Sequence, residues 1–396
     1  MTANPLLPSL LKPIQPLYKK LRKKFVQQED LVARYDFVRP CTIGRSVLPG
    51  DILPMTINWV IPPFAFGAGG HTTIFRFIHY LEEDGFDCRV VVVGNREPLA
   101  AEKIRSQIND WFFPFNGQVY IGMEAAPPAR ITMATSWLTA YYVRDFQSTL
   151  HRTYFVQDFE PYFHAAGSEY AWAEETYRFD FTGITAGTWL KEKLAAEYGM
   201  RTQAFLFSFD RTKYFQRTRD EPKTRQIFFY ARPWTERRGF EMGLLVLDEV
   251  KRRLPDVQIV LAGGKMDKFH IPFEHVSMGI LDANALATLY SQCDAALVLS
   301  FTNLSLLPLE LMACGTPVIS NKAPCTTWLL NDENACLCTP TTESLADGLC
   351  AVLNDPALAA RLRQTGLAVA AATDWQAEAR KVGQFLRVID AEDPAE

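Results

Sequence analysis

The feature that most constrains the fold is an alternation of short apolar strands and helices along most of the chain. The first clear unit consists of the β-branched run Thr56–Ile61, a glycine-rich loop, a helical pattern over residues 74–81 and the apolar run Cys88–Gly94. A strand, a turn, a helix and a second strand in this order form a βαβ unit, the building block of parallel sheets. The chain is therefore predicted to be an α/β protein.

A polar stretch divides this alternation into two series. Residues Ser208–Arg225 are mostly polar and charged, a composition typical of an interdomain linker. Strands are predicted before it at 119–122, 130–134, 153–157 and 182–186, and after it at 226–231, 257–262, 276–279, 295–299 and 317–320. We predict two doubly wound Rossmann-like domains, residues 31–210 and 225–373, that face a central cleft.

Composition excludes several classes of protein. The chain has 396 residues, of which 48% are hydrophobic and 22% charged, and this is ordinary for globular domains. A net charge of −4 gives no reason to expect a nucleic-acid partner. The eight cysteines form no CxxC pair, which indicates reduced thiols and neither a disulfide framework nor a zinc site. The reduced thiols predict a cytoplasmic location. No apolar run approaches the roughly 20 residues that span a bilayer.

The N-terminal segment, residues 1–30, is basic and amphipathic. Its lysines and arginine precede any acidic residue and are interleaved with leucines and aromatic residues. Residues 1–25 are predicted to contact the inner face of a membrane, where each basic residue near an anionic surface contributes about 1 kcal/mol. A solvated tail, or a helix packed on the domain, explains the pattern equally well.

The glycine-rich loop is the first candidate site. Gly67, Gly69 and Gly70 remove side chains where a helix begins, so backbone N–H groups can meet an anion or a sugar. The alternative is a tight turn between a strand and a helix. His71 follows directly and is a candidate catalytic residue, although a histidine here can equally cap the helix.

A second candidate site is an arginine-rich loop after the strand 226–231. Arg232 follows this strand directly, and Arg237 and Arg238 precede Gly239 and a helix. Guanidinium groups at the carboxyl edge of a parallel sheet suit a pyrophosphate, because they stay charged and present forked donors. Arg232 and Arg238 are the preferred phosphate ligands, and Arg238 is preferred to Arg237 because it adjoins the glycine.

The third candidate is the stretch SFTNLSLLPLELMACGTPVISN, Ser300–Asn321. Its first residues are typical of a helix N-cap and can also line an anion site. Glu310 lies inside an otherwise apolar helix, where an unpaired buried carboxylate costs several kcal/mol. We predict that it accepts hydrogen bonds from the hydroxyls of a ribose. A structural arginine partner is the alternative.

These motifs, in this order, resemble the donor-binding half of retaining GT-B glycosyltransferases, and the PLELMACGTPVI segment is the most specific of them. The likeness covers about residues 55–390 and implies two Rossmann-like domains, with the last helix, 374–390, packed back on the first domain through Trp375. In that family the second of two glutamates binds the nucleotide ribose. Glu310 matches the second, and the first falls on Thr302. The resemblance implies a set of donor-binding residues: Arg232, Arg238, Gly263, Gly264, Gly279, Thr302, Asn303, Leu304, Ser305 and Glu310.

The N-terminal half, with the segment Tyr154–Phe163, resembles more narrowly the rhamnosyltransferases of bacterial cell-surface polysaccharide synthesis. This implies dTDP-L-rhamnose as donor and a growing or lipid-linked glycan as acceptor. A GDP- or UDP-linked sugar, or a non-catalytic nucleotide-sugar-binding protein of this fold, is the alternative. No D-x-D motif is present, so neither a metal nor another cofactor is expected. Asp158 and Glu160 are the acidic candidates for orienting or deprotonating an acceptor, or else they cap a structural loop.

Overall fold

The computed structural model describes residues 30–94, 99–219 and 224–392, and the chain separates into two units, 1–41 and 42–396. The first unit contains a short helix, α1 (Leu31–Arg34), whose Ala33 amide donates to the Asp30 side chain at 3.0 Å. The basic segment, residues 1–30, lies outside the described residues but for its last one, and so does the whole of the predicted membrane contact. Among the helices of the described ranges, none is long and apolar enough to cross a membrane.

The second unit begins with a seven-stranded parallel sheet in the order β3-β2-β1-β4-β5-β6-β7. Its strands are β1 (Thr56–Ile61), β2 (Asp87–Val92), β3 (Val119–Ile121), β4 (Ala129–Ala134), β5 (Thr149–Val156), β6 (Thr182–Ala186) and β7 (Thr202–Phe205). Its helices are α2 (Gly69–Glu83), α3 (Ala101–Trp111), α4 (Trp137–Asp145), α5 (Ser168–Glu175) and α6 (Thr188–Tyr198). We call this region the first domain. Every residue of β1 is buried, as expected for a parallel strand covered on both faces.

A six-stranded parallel sheet follows, in the order β10-β9-β8-β11-β12-β13. Its strands are β8 (Gln226–Tyr230), β9 (Gln258–Ala262), β10 (Val276–Gly279), β11 (Ala295–Val298), β12 (Val318–Asn321) and β13 (Ala335–Cys338). The helices are α7 (Phe240–Arg253), α8 (Ala283–Gln292), α9 (Leu307–Ala313), α10 (Pro324–Thr327), α11 (Thr342–Asn354), α12 (Pro356–Ala372) and α13 (Trp375–Ala391). This sheet and α7–α12 form the second domain. The predicted pair of doubly wound parallel sheets is confirmed.

The strand order of each sheet reverses at one point, between β1 and β4 in the first and between β8 and β11 in the second. Ligands of open α/β sheets bind outside the carboxyl ends of the strands at such switch points. The glycine loop follows β1 and the arginine loop follows β8, so both candidate loops lie at a switch point.

Helix α13 leaves the second domain and packs on the first. Trp375 is 4% exposed, and its ring centroid lies 6.1 Å from those of Phe77 on α2 and Phe207 after β7. Further along, Arg387 Nη1 lies 2.6 Å from Asp84 Oδ2 at the end of α2. An aromatic anchor and an ion pair therefore hold the C-terminal helix against the first domain.

Candidate active site between the two sheets

A cavity of about 730 Å³ lies between the two domains, where both strand orders reverse. Its walls comprise the glycine loop, the segment 135–137, residues of the 157–160 loop, the arginine loop, the segment 304–307 and Glu310. The volume falls within the roughly 300–1,000 Å³ typical of small-molecule sites. We call it the donor cavity, since half of the ten residues predicted to bind a donor line it: Arg232, Arg238, Leu304, Ser305 and Glu310.

The glycine loop presents bare backbone to the donor cavity. Gly67 has a φ of +77°, a left-handed conformation that favours glycine. A Cβ built on Gly69 would meet no atom within 4 Å, and one on Gly70 would lie 3.5 Å from Gln157 Nε2. All three glycines line the cavity, so the start of α2 is open to a ligand, as the sequence predicts.

His71, in the first turn of α2, has one ring nitrogen to spare. Burial lowers the pKa of the His71 imidazole, and this effect outweighs a hydrogen bond with the Pro62 carbonyl, which raises it. The ring is therefore neutral at neutral pH. Its Nε2 is buried and has no hydrogen-bond partner among the described residues. Because His71 lines the donor cavity, Nε2 is available to a ligand hydroxyl.

Asp158 is engaged in an interdomain junction. Its Oδ1 accepts hydrogen bonds from the Phe159 and Asn303 amides at 2.8 and 2.7 Å. Its Oδ2 accepts one from Thr302 Oγ1 at 2.9 Å and lies 3.8 Å from Arg237 Nε. Burial raises the pKa of Asp158, against the opposing effect of Arg238. Several bonds would have to break before Asp158 could deprotonate an acceptor, so the geometry favours a positioning role over the predicted base.

Thr302 and Asn303 occupy the other side of this junction. The Asn303 side-chain amide donates to the backbone carbonyls of Gln157 and Ala186 at 2.9 and 2.8 Å, and its Oδ1 accepts from Trp328 Nε1 at 2.9 Å. Both residues are at most 1% exposed and neither is among the residues that line the donor cavity. Their predicted donor contact is replaced by interdomain bonding. Thr302 occupies the position where the resemblance implies a glutamate, and it donates a hydrogen bond to the Asp158 carboxylate of the first domain.

Glu160 provides a buried acid beside this junction. Its Oε2 accepts a hydrogen bond from the Trp137 amide at 2.7 Å, and the residue lines the donor cavity. Burial raises the pKa of Glu160 to about 8, and the nearby Asp158 charge adds to the increase. The carboxyl group is therefore mostly protonated at neutral pH and can donate as well as accept.

This raised pKa predicts how stability depends on pH. An unfolded glutamate ionises near pH 4.3, so between about pH 4.3 and 8 only the folded state keeps the Glu160 proton. Stability should therefore fall as the pH rises through this window. Glu160→Gln removes this titratable group. The unfolding free energy of the variant, relative to that of the wild type, should therefore increase by a few kcal/mol between pH 5 and pH 8. Urea unfolding at four pH values measures the difference.

Glu236→Gln, which removes an exposed carboxylate of the neighbouring arginine loop, is the matched control for loss of charge. If Glu160→Gln and the wild type keep a constant difference in unfolding free energy across this range, Glu160 does not hold a proton in the folded state.

The arginine loop contributes three guanidinium groups to the donor cavity. Arg238 Nη1 donates to the Asn303 carbonyl at 3.0 Å and to the Ser300 hydroxyl. Burial lowers the pKa of Arg238 to about 10, so it stays charged at neutral pH. Arg232 is exposed, and its guanidinium lies 5.5 Å from the centroid of the Tyr230 ring. Arg237, ranked lower from the sequence, also lines the cavity.

Gly263, Gly264 and Gly279 were predicted to contact the donor but do not line the donor cavity, and Gly263 affects the cavity only indirectly. Gly263 has a φ of +110°, and a Cβ there would lie 2.6 Å from the Tyr230 ring, which does line the cavity. The Gly263 amide donates to the Gly279 carbonyl at 2.7 Å. The absence of a side chain at Gly263 leaves room for Tyr230, which forms a section of the cavity wall.

Glu310 lines the donor cavity from α9, beside Leu304 and Ser305. Burial raises the pKa of Glu310 to about 7, while the Tyr214 hydroxyl and the charge of Arg76 lower it. Arg76 belongs to α2 of the first domain, is 8% exposed, and lies 4.8 Å from the Phe113 ring centroid. The positive charge of Arg76 in the first domain therefore stabilises the Glu310 carboxylate of the second domain, and Glu310 also lines the cavity.

Sequence reasoning did not find Tyr214, Arg76 or Trp137. Tyr214 lies in the polar linker, where three aromatic residues show no periodic pattern, and Arg76 lies within an amphipathic helix pattern. Trp137 bonds Glu160 through its backbone amide, which no side-chain pattern reveals. Of these three, Tyr214 alone had a signal in the sequence, since it is a tyrosine in a charged linker. Buried tyrosines usually hydrogen-bond a polar partner, so such a partner could have been predicted for it.

One segment in each half of the chain matches a family model named for WsaF. Residues 225–350 match "WsaF, C-terminal domain" and residues 120–186 match "WsaF, N-terminal domain". The chain is also 33% identical over 341 residues to the O-antigen biosynthesis protein RfbC of Myxococcus xanthus. That alignment covers 84% of this chain and 27% of RfbC, so the chain spans about a quarter of the length of this relative.

Two solved structures show the same architecture. Sucrose-phosphate synthase from Thermosynechococcus elongatus superposes with a TM-score of 0.66 at 16% identity, covering 85% of this chain and 99% of that one. HepE of Anabaena, solved in complex with UDP, gives 0.63 at 14% identity, covering 84% and 100%. These likenesses confirm the fold class predicted from the sequence, the GT-B arrangement of two Rossmann-like domains.

Proposed function

We propose that this chain is a retaining glycosyltransferase that moves L-rhamnose from dTDP-L-rhamnose to a growing bacterial surface glycan. One observation carries the proposal: three arginines and Glu310 line a single cavity at the switch points of two facing sheets. Guanidinium forks and a carboxylate in the same cavity match a nucleotide diphosphate and its sugar ring.

The donor is held by charge complementarity. Arg232 and Arg238 neutralise the diphosphate, and Glu310 accepts a hydrogen bond from the 3′-hydroxyl, the one free hydroxyl on the deoxyribose of dTDP. As the bond between the sugar and the diphosphate breaks, negative charge grows on the leaving group. Fixed cationic donors stabilise this charge without reorganisation in the transition state. With three arginines in place the reaction is proposed to need no metal.

The transfer step requires no protein nucleophile. The bond between the anomeric carbon and the phosphate oxygen breaks, and a bond from that carbon to the acceptor oxygen forms on the same face. The acceptor proton passes to the departing phosphate oxygen. His71 Nε2, buried without a partner among the described residues, and the Glu160 carboxyl are the groups that orient the acceptor hydroxyl.

The relatives support the glycan and leave the nucleotide base open. RfbC is named as an O-antigen biosynthesis protein, and HepE was solved with UDP and with UDP-glucose. dTDP is favoured here by the resemblance of the first domain to rhamnosyltransferases, with UDP or GDP as the alternative. The acceptor is proposed to be a glycan or lipid-linked glycan on the cytoplasmic side, with residues 1–25 against the inner membrane.

A thermal-shift panel tests the proposal. A ligand that binds only the folded state stabilises it by about 2.7 kcal/mol at a hundred times its Kd. We expect dTDP and dTDP-L-rhamnose to raise the Tm, equally with Mg²⁺ and with EDTA, and UDP and GDP to raise it less. A response to UDP alone would transfer the assignment to a UDP-sugar. Binding of dTDP-L-rhamnose without release of dTDP in the presence of acceptor would support the non-catalytic alternative, and no response to any nucleotide would refute the proposal.

A further inference from the structure

A second cavity, of about 570 Å³, opens beside the donor cavity. One wall is the segment 162–169 of the first domain, and the other is the segment 234–237 of the arginine loop. Phe163, His164, Thr235 and Arg237 line both cavities, so the two spaces adjoin each other. A molecule whose end lies in the donor cavity can therefore extend into the second one, which we call the side cavity.

Three aromatic rings of the side cavity are exposed to solvent. The exposed fractions of Trp234, Tyr162 and Phe163 are 66%, 45% and 40%. Large apolar side chains grouped on a surface mark interaction sites more often than single ones do. Their positions are fixed by neighbours: Trp234 packs edge-on against Phe269 at 6.4 Å, and Tyr162 against Phe159 at 4.7 Å.

The polar groups of the side cavity do not suit an anion. Its charged residues comprise two carboxylates, Glu169 and Glu236, against a single guanidinium, Arg237. Arg237 already lies 3.8 Å from Asp158 and 4.1 Å from the centroid of the Phe163 ring. Glu169 Oε2 lies 3.1 Å from His164 Nδ1, which orients both side chains at the rim. The lining offers hydrogen-bond acceptors and aromatic faces.

We infer that the side cavity binds the neutral glycan chain behind the terminal sugar of the acceptor. This inference rests on the proposed glycosyl transfer and adds the class of acceptor. A pyranose presents an apolar C–H face, which packs on an aromatic ring, and an edge of hydroxyls, which donate to carboxylates. A nucleotide or a polyuronate would meet uncompensated negative charge here.

The side cavity also predicts a preference for chain length. A single sugar reaches only the donor cavity, whereas an oligosaccharide fills both spaces and gains the aromatic contacts. Trp234, from the second domain, and Tyr162, from the first, would then act on acceptor affinity and not on donor affinity. Trp234 does not line the donor cavity.

The test is a calorimetric titration of a neutral tetrasaccharide of L-rhamnose into the full chain, with and without dTDP. We expect it to bind the wild type more tightly than L-rhamnose or tetragalacturonate does. Trp234→Ala should weaken binding of the tetrasaccharide about tenfold, as expected for the loss of one good aromatic contact. The thermal shift with dTDP should be unchanged. Phe215→Ala is the matched control, because Phe215 is 49% exposed and lines neither cavity.

Three results would overturn the inference: no binding of the tetrasaccharide to the wild type, equal or tighter binding of tetragalacturonate, or equal weakening by Trp234→Ala and Phe215→Ala. The dTDP arm keeps the two proposals apart. Loss of the nucleotide response counts against glycosyl transfer as a whole, whereas a normal nucleotide response without a glycan response counts against the side cavity alone.

Discussion

Replacing Arg238 with methionine should lower the turnover of sugar transfer by about a hundredfold to a thousandfold, the cost of removing one preorganised donor from a developing charge. Arg238 is held in place by two hydrogen bonds to the 300–304 segment, one to the Asn303 carbonyl and one to the Ser300 hydroxyl. A fixed cation stabilises the leaving diphosphate without first being ordered. Release of dTDP from dTDP-L-rhamnose with saturating acceptor measures the effect.

Two further variants separate this role from a structural one. Arg232→Met removes an exposed guanidinium, so the variant should fold like the wild type. It should reduce turnover about tenfold, which corresponds to the loss of one charge-assisted hydrogen bond. Arg252→Met, on the exposed face of α7, controls for loss of positive charge alone. If Arg238→Met unfolds like the wild type and keeps full turnover, the arginine loop does not bind the diphosphate.

Replacing Glu310 with glutamine should weaken the affinity for dTDP by roughly tenfold to a hundredfold at pH 8, because hydrogen bonds to a charged group contribute about 1.5–3 kcal/mol. The pKa of about 7 for Glu310 adds a pH signature. The deoxyribose hydroxyl of dTDP donates to the carboxylate, so the wild-type affinity should rise with pH through about 7 and level off above it. The variant carries no titrating group there, and its affinity should stay flat.

Calorimetric titration with dTDP at pH 6, 7 and 8 tests both statements about Glu310. The difference in dTDP affinity between wild type and variant should be smaller at pH 6, where the wild-type Glu310 carboxyl is mostly protonated. Glu333→Gln, an exposed carboxylate outside the donor cavity, is the control. Equal affinities of wild type and Glu310→Gln at pH 8 would show that Glu310 only neutralises Arg76.

The junction formed by Asp158, Thr302 and Asn303 explains how residues from two domains come to share one cavity. Buried polar groups cost free energy unless their bonds are complete, and these bonds are complete only when the 157–160 loop meets the 300–304 segment. The junction therefore favours one relative position of the domains. In that position His71 and Glu160 line the same cavity as Arg238 and Glu310.

Local composition was sufficient for much of the fold. Buried parallel strands are continuous apolar runs, so Thr56–Ile61 and Ala295–Val298 are recognisable without any knowledge of their neighbours. The edge strands Thr202–Phe205 and Ala335–Cys338 were missed, because partly exposed strands are short and not uniformly apolar. The candidate loops were found because they follow recognisable strands directly.

The sequence by itself determined the two parallel sheets, the loops at their carboxyl ends and the unusual position of Glu310. Only the tertiary structure decided what those residues contact. Asp158 was predicted either to act on an acceptor or to cap a structural loop, and in the structure it is bound to Thr302. The charge of Glu310 is balanced by Arg76, which lies in the other domain. The physical reason is range: periodicity and capping act over a few neighbouring residues, whereas these pairings depend on how two separate sheets pack.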